Sequence, residues 1–210
     1  MDDLLGNWRS LFDSSADLRD VEASGRDLLR RWAEPHRHYH GVEHLRSVLR
    51  HLERLGTHAL DADACMLAAW FHDAVYDGRP GEDERASAEL GRDVLSGLDV
   101  AADRVAEVVR LVELTATHAP AADDVNGAVL CDADLAILGS PPREYAAYVA
   151  AVRAEYAHVP DAEFRNGRTA VLRHLLARDP LYSTTTARDL WEVAARRNMT
   201  TELPPTDFTA

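Results

Sequence analysis

The sequence predicts an all-α, single-domain fold, and three observations carry that expectation. Apolar residues recur at three- and four-residue spacing along the chain, no stretch keeps the strict alternation of a half-buried strand, and glycine and proline break the pattern at helix-length intervals. The 210 residues suffice for one sizeable hydrophobic core, and 46% hydrophobic against 28% charged residues is the composition of an ordinary folded chain. No linker-like composition or fixed-period repeat divides it. Residues 1–203 are therefore expected to form one helical domain, with the N-terminal helices of residues 1–34 packed on it.

Leu4, Trp8, Leu11 and Phe12 space as a short amphipathic helix, and Leu18, Val21, Leu28, Leu29 and Trp32 as a second, interrupted at Gly25 and stopped by Pro35. Val42, Leu45, Val48, Leu49, Leu52 and Leu55 form a third stripe, closed by Gly56. The run Ala64 to Val75, wholly apolar from Met66 to Phe71, predicts a central fourth helix ahead of the break Gly78-Arg79-Pro80-Gly81. Ala86, Leu90, Val94 and Leu95 mark a fifth helix, and Val105, Val108, Val109, Val112 and Leu114 a sixth that runs up to His118-Ala119-Pro120. After a loop from Pro120 to Asn126, a helix restarts over Ala128 to Leu138 and closes at Gly139-Ser140-Pro141-Pro142. Tyr145, Tyr148, Val149, Val152 and Tyr156 mark the next, Phe164, Val171, Leu172, Leu175 and Leu176 another, and Leu190, Val193 and Ala194 the last. Pro204-Pro205 opens a loose C-terminal tail, residues 204–210.

Charge and cysteine usage exclude several classes of function. A net charge of −13 without a lysine/arginine cluster argues against a nucleic-acid polymer as partner. All 23 basic residues are arginine, a bias with no functional reading. Cys65 and Cys131 stand in apolar surroundings without a Cys-x-x-Cys pair and read as reduced core residues. No apolar stretch approaches the ~20 residues of a membrane span. Met1-Asp2-Asp3 lacks the basic start of a signal peptide, so a cytoplasmic protein is expected.

Titratable groups then suggest a site. His40 and His44 are four residues apart and His44 and His51 seven, which on a helix places them along one face. The stripe Leu45, Val48, Leu49 and Leu52 borders that face, so His44 can point inward, whereas His36, His51, His58, His158 and His174 are expected at the surface. His72 and Asp73 follow directly on the apolar run and are expected in or near the interior, where charge must be paired or bound to metal. Asp132 and Asp134 flank Ala133 within the apolar run Val129 to Leu138, unless one of them caps a helix N-terminus. Together His44, His72, Asp73 and Asp134 offer two imidazoles and two carboxylates from three helices. Such a nitrogen and oxygen shell suits one divalent cation.

This order of residues, His, then His-Asp, then a distant aspartate preceded by alanine, resembles the HD superfamily of metal-dependent phosphohydrolases, which are helical proteins. Four blocks are similar to an uncharacterised bacterial branch of it: Arg37-x-Tyr39-His40-x-x-x-His44, Trp70-Phe71-His72-Asp73-x-Val75-Tyr76-Asp77, Asp132-Ala133-Asp134-Leu135 with Leu138-Gly139, and Arg153-x-Glu155-Tyr156. The resemblance implies an HD-type helical bundle with one divalent metal (Mn, Fe, Co, Ni, Zn or Mg) held by His44, His72, Asp73 and Asp134. Asp132 and Asp134 can exchange roles. It implies hydrolysis of a phosphate ester of a small molecule, a nucleotide for example, by metal-activated water.

Further roles follow on physical grounds. His118, at a helix end before a proline, can donate a proton to a leaving group, or simply favour the helix dipole. Asp77, one turn beyond Asp73 on a persisting helix, can orient the attacking water, or be an idle helix-end carboxylate. Arg37, Arg153 and Arg168 stand in or beside the matched blocks and are candidates to bind the phosphate of the substrate, with internal salt bridges as the alternative. Glu84, in the acidic Glu82-Asp83-Glu84 entrance to a helix, is a further substrate-binding candidate, or a charge that stabilises the helix N-terminus. Two other functions keep the fold: a di-iron HD-type oxygenase, for which His118 is the sole histidine between Asp73 and Asp134, and a non-catalytic metal- or nucleotide-binding protein.

Overall fold

A computed structural model describes residues 2–13 and 16–203, and the tail expected over 204–210 lies outside them. Among the described residues there are ten α-helices and no strand. They are α1 (Asp2–Ser10), α2 (Leu18–Trp32), α3 (Val42–Leu55), α4 (Ala62–Phe71), α5 (Glu82–Gly97), α6 (Ala102–Leu114), α7 (Val125–Asp134), α8 (Pro142–Glu155), α9 (Asp161–Leu176) and α10 (Thr185–Glu202). Short 3-10 turns follow α3 (Gly56–His58) and α7 (Leu135–Gly139). No described helix is long and apolar enough to cross a membrane.

The architecture centres on α4. Its sequence is apolar all round, and the side chains of Ala64, Cys65, Leu67, Ala68, Ala69, Trp70 and Phe71 are all buried. Asp61 starts it by accepting a hydrogen bond from the Ala64 amide (3.0 Å). Helices α3 and α7 pack on α4 and on each other, and α6 covers another side. The other helices complete one contiguous cluster of buried apolar side chains, from Leu4 to Met199. Cys65 and Cys131 are both buried in this interior.

Three element boundaries differ from the sequence-based expectation. Helix α4 stops at Phe71 rather than Val75, because tertiary partners take over the backbone beyond it. Arg37 donates to the carbonyls of Asp73 (2.6 Å) and Ala74 (3.2 Å), the Ser87 hydroxyl accepts from the Val75 amide (3.0 Å), and Asp83 accepts from the amides of Asp77 and Arg79. Gly25 does not interrupt α2; it makes room for Trp8, whose Cδ1 lies 2.5 Å from where a Cβ would stand. The helix expected over Ala128 to Leu138 begins earlier, at Val125, and tightens into the 3-10 turn after Asp134.

That turn is fixed by α10. At Gly139 an added Cβ would come within 2.8 Å of the Trp191 backbone Cα, so nothing larger than glycine fits. Asn198 donates to the carbonyls of Leu138 and Ser140 (both 2.9 Å). Gly139→Ala should therefore destabilise the protein by about 1–3 kcal/mol through overpacking against backbone, read as a lower urea midpoint at unchanged slope.

A candidate metal centre

Each of the three central helices brings one side chain to a common point. His44 stands in the first turn of α3, His72 is the C-terminal cap of α4, and Asp134 is the last residue of α7. Their donor atoms lie within 4.8 Å of one another, in a group that can hold a metal ion. The Nε2 atoms of His44 and His72 are 3.1 Å apart, and Asp134 Oδ1 lies 3.1 Å from the first and 3.6 Å from the second. Asp73 completes the cluster, its Oδ2 3.3 Å from His72 Nε2 and 3.7 Å from His44 Nε2. Both histidine side chains are almost wholly buried, whereas Asp73 and Asp134 retain 15% and 11% exposure, which leaves the cluster a side open to solvent.

Neighbouring groups set the orientation of these donors. His72 Nδ1 lies 2.8 Å from the Ala69 carbonyl. A carbonyl only accepts, so Nδ1 carries the hydrogen and Nε2 faces the cluster. His118 adopts a left-handed backbone (φ +49°) and sets its Nε2 2.7 Å from Asp134 Oδ2, which turns Oδ1 toward His44. Arg178 donates to the carbonyls of Thr117 and His118 and steadies that bend.

The electrostatics call for a positive charge at the centre. Burial works against the charged form of His72, but Asp73 and Asp134 outweigh it and hold its pKa well above the usual histidine value. For His44, burial dominates and, with the charge of His72, leaves its pKa lowered despite Asp134. Burial also penalises the two carboxylates, yet His72 chiefly holds both pKa values below the ordinary range. The carboxylates are thus favoured in their anionic form by a positive neighbour, and a divalent cation suits the same donor set.

The remaining site expectations divide. His40 precedes α3 instead of sharing its face with His44; its Nδ1 binds Glu155 Oε2 (2.7 Å). His51 is half-buried and packs edge-on against Trp191 (5.0 Å), and burial lowers its pKa to about 4. Asp132 is turned away from the cluster and accepts from the amides of Ser183 (2.8 Å) and Thr184 (2.6 Å) at the start of α10. Asp77 is not one helical turn beyond Asp73, because the helix has ended; its exposed carboxylate pairs with Arg79 (2.6 Å). Glu84 caps α5, accepting from the Gly81 amide (2.5 Å), as the stabilising alternative requires.

The three arginines are engaged internally. Arg37, its side chain fully buried, binds Glu34 and the carbonyls of His40, Asp73 and Ala74. Arg153 binds Asp161 and the carbonyls of Tyr156 and Val159. Arg168 pairs with Glu202 and donates to the Tyr148 hydroxyl (2.8 Å). Glu155, which organises the entry to α3, was weakly signalled in the sequence. Its Oε1 accepts from the consecutive amides of His38, Tyr39 and His40 (2.8, 2.7 and 2.8 Å). Its place in the block Arg153-x-Glu155-Tyr156 was the available signal.

Fold and site together define an all-α protein with a buried His/Asp cluster able to take a metal ion. No protein-family model, curated protein or solved structure matches the chain.

Two outcomes are expected from this geometry. His118→Ala releases Asp134 Oδ2, and loss of such a supporting bond should weaken divalent-metal binding by about 10- to 100-fold, measured against a chromophoric chelator. Burial opposes ionisation of Glu155, but His40 and the backbone amides prevail and hold its pKa at about 2. A depressed carboxylate stabilises the fold above its unfolded value, ~4.3, and that contribution disappears as pH falls toward the folded value. Glu155→Gln should thus be less stable than the wild type by on the order of 2 kcal/mol at neutral pH, with the gap closing in denaturation curves taken below about pH 4.

Proposed function

We propose that this protein is a metal-dependent phosphohydrolase that cleaves a phosphate ester of a small molecule, with nucleotides as the favoured class. The observation that carries the reading is the cluster itself: two imidazole nitrogens 3.1 Å apart with one oxygen each from Asp73 and Asp134 beside them. His44, His72, Asp73 and Asp134 would hold one divalent cation, with affinity following the usual order among Mn, Fe, Co, Ni and Zn. Such a cation supplies Lewis acidity toward water and phosphoryl oxygen.

The chain's own groups supply the rest. Arg37 locks the backbone at Asp73 and Ala74, so the carboxylate that follows His72 cannot drift. His118 holds Asp134 and, with its Nε2 engaged there, is in this reading a positioning residue rather than the proton donor to a leaving group. The buried imidazoles keep bulk water from one side of the cluster, and the partly exposed carboxylate side admits the substrate.

A second reading is favoured by one observation: Arg37, Arg153 and Arg168 are all engaged by internal acceptors. A pocket poor in free guanidinium suits a protein that binds a phosphorylated ligand through metal without turning it over. The deciding experiment is elemental analysis of protein purified without added metal, beside His72→Ala, followed by phosphate-release assays on nucleotides and sugar phosphates. The hydrolase reading expects about one metal per chain and phosphate release, both lost in the variant. Bound metal without turnover on any ester supports the second reading, and a protein that stays metal-free after reloading sinks both.

A further inference from the structure

Tyr148 is linked to the cluster through one intervening ring, that of Tyr39. Its ring lies 4.6 Å from that of Tyr39, which in turn lies 4.8 Å from the ring of His44. Both tyrosines are half-buried, and the charge of Asp134 reaches both hydroxyls. The hydroxyl of Tyr148 meets Arg168.

Arg168 is held by a two-pronged ion pair with Glu202 (Nε to Oε1 2.7 Å, Nη2 to Oε2 3.1 Å), which leaves Nη1 aimed at the Tyr148 oxygen at 2.8 Å. Guanidinium only donates, so Tyr148 accepts there and its own O–H proton must look for another acceptor. Among the described residues it has none. The hydroxyls of Tyr76, Tyr145 and Tyr182, by contrast, donate to Glu155, Glu202 and the Leu135 carbonyl. A phenol that accepts from a cation is polarised into a stronger donor.

We infer that the Tyr148 hydroxyl donates a hydrogen bond to a phosphoryl oxygen of the substrate, and that Arg168 and Glu202 hold it in place for that purpose. The inference rests on the phosphohydrolase reading and answers its main difficulty. A site walled by Asp73 and Asp134 repels an anion, and Arg168 is too engaged to bind it directly. Tyr148 passes the influence of that guanidinium to the substrate through a neutral donor, at little cost in side-chain freedom.

The test is binding of inorganic phosphate to the manganese-loaded protein, by calorimetry, in wild type, Tyr148→Phe, Arg168→Gln and the double variant, with metal content measured on each sample. Tyr148→Phe keeps the ring and its packing. It should retain its metal and bind phosphate at least about tenfold more weakly, the usual loss for a hydrogen bond to a charged group. Arg168→Gln should weaken binding comparably, and the double variant should add little, because the two act as one unit. A merely structural role for Arg168 would lower thermal stability without this non-additivity. Equal phosphate affinity in wild type and Tyr148→Phe overturns the inference while leaving the hydrolase reading intact. Metal-loaded wild type that binds no phosphate overturns both.

Discussion

Two imidazoles and two carboxylates drawn together in an apolar interior are tolerable only if a positive charge lies among them and each remaining polar atom has a partner. Much of the tertiary structure meets that condition. Helices α3, α4 and α7 pack pairwise, so the first turn of one and the last turns of the other two end at a common point. The outer nitrogen of His72 is satisfied by the Ala69 carbonyl and the outer oxygen of Asp134 by His118. With the far sides of His72 and Asp134 anchored in this way, their near sides are held toward the cluster.

The arginines explain how the irregular segments around the cluster hold their shape. Helix ends leave carbonyls without intrahelical partners, and a guanidinium carries five donors and no acceptor. Arg37 binds carbonyls in the segment after α4, Arg178 those of Thr117 and His118 after α6, Arg188 those of Tyr182 and Ser183 before α10, and Arg196 those of Leu176 and Arg178 after α9. Arg37, which resembles an anion-binding residue in sequence, is here a fastener of the backbone beside His72 and Asp73.

The helices were legible because each buries one face and the apolar spacing records it. Their ends were less legible where long-range partners decide them. Nothing local stops α4 at Phe71; the competing bonds come from Arg37, Ser87 and Asp83, the first of them more than thirty residues away in sequence. Gly25 reads as a helix breaker because local propensity disfavours it, but the space it leaves is filled by Trp8. Asp132 and Asp134 are alike in sequence, both carboxylates in one apolar run. Two residues along a helix face different directions, so one meets the cluster and the other the amides of Ser183 and Thr184.

The sequence by itself determined that the chain is helical and which residues are costly to bury: His44, His72, Asp73 and Asp134 in or beside apolar stripes imply a shared partner. Only the tertiary structure decided which groups meet and which are consumed. Whether Arg168 faces a substrate or Glu202, whether His118 is free or bound to Asp134, and whether Tyr148 keeps an unused proton all depend on side chains distant in sequence. Periodicity reports the direction a side chain leaves its helix, and only packing reports what it finds there.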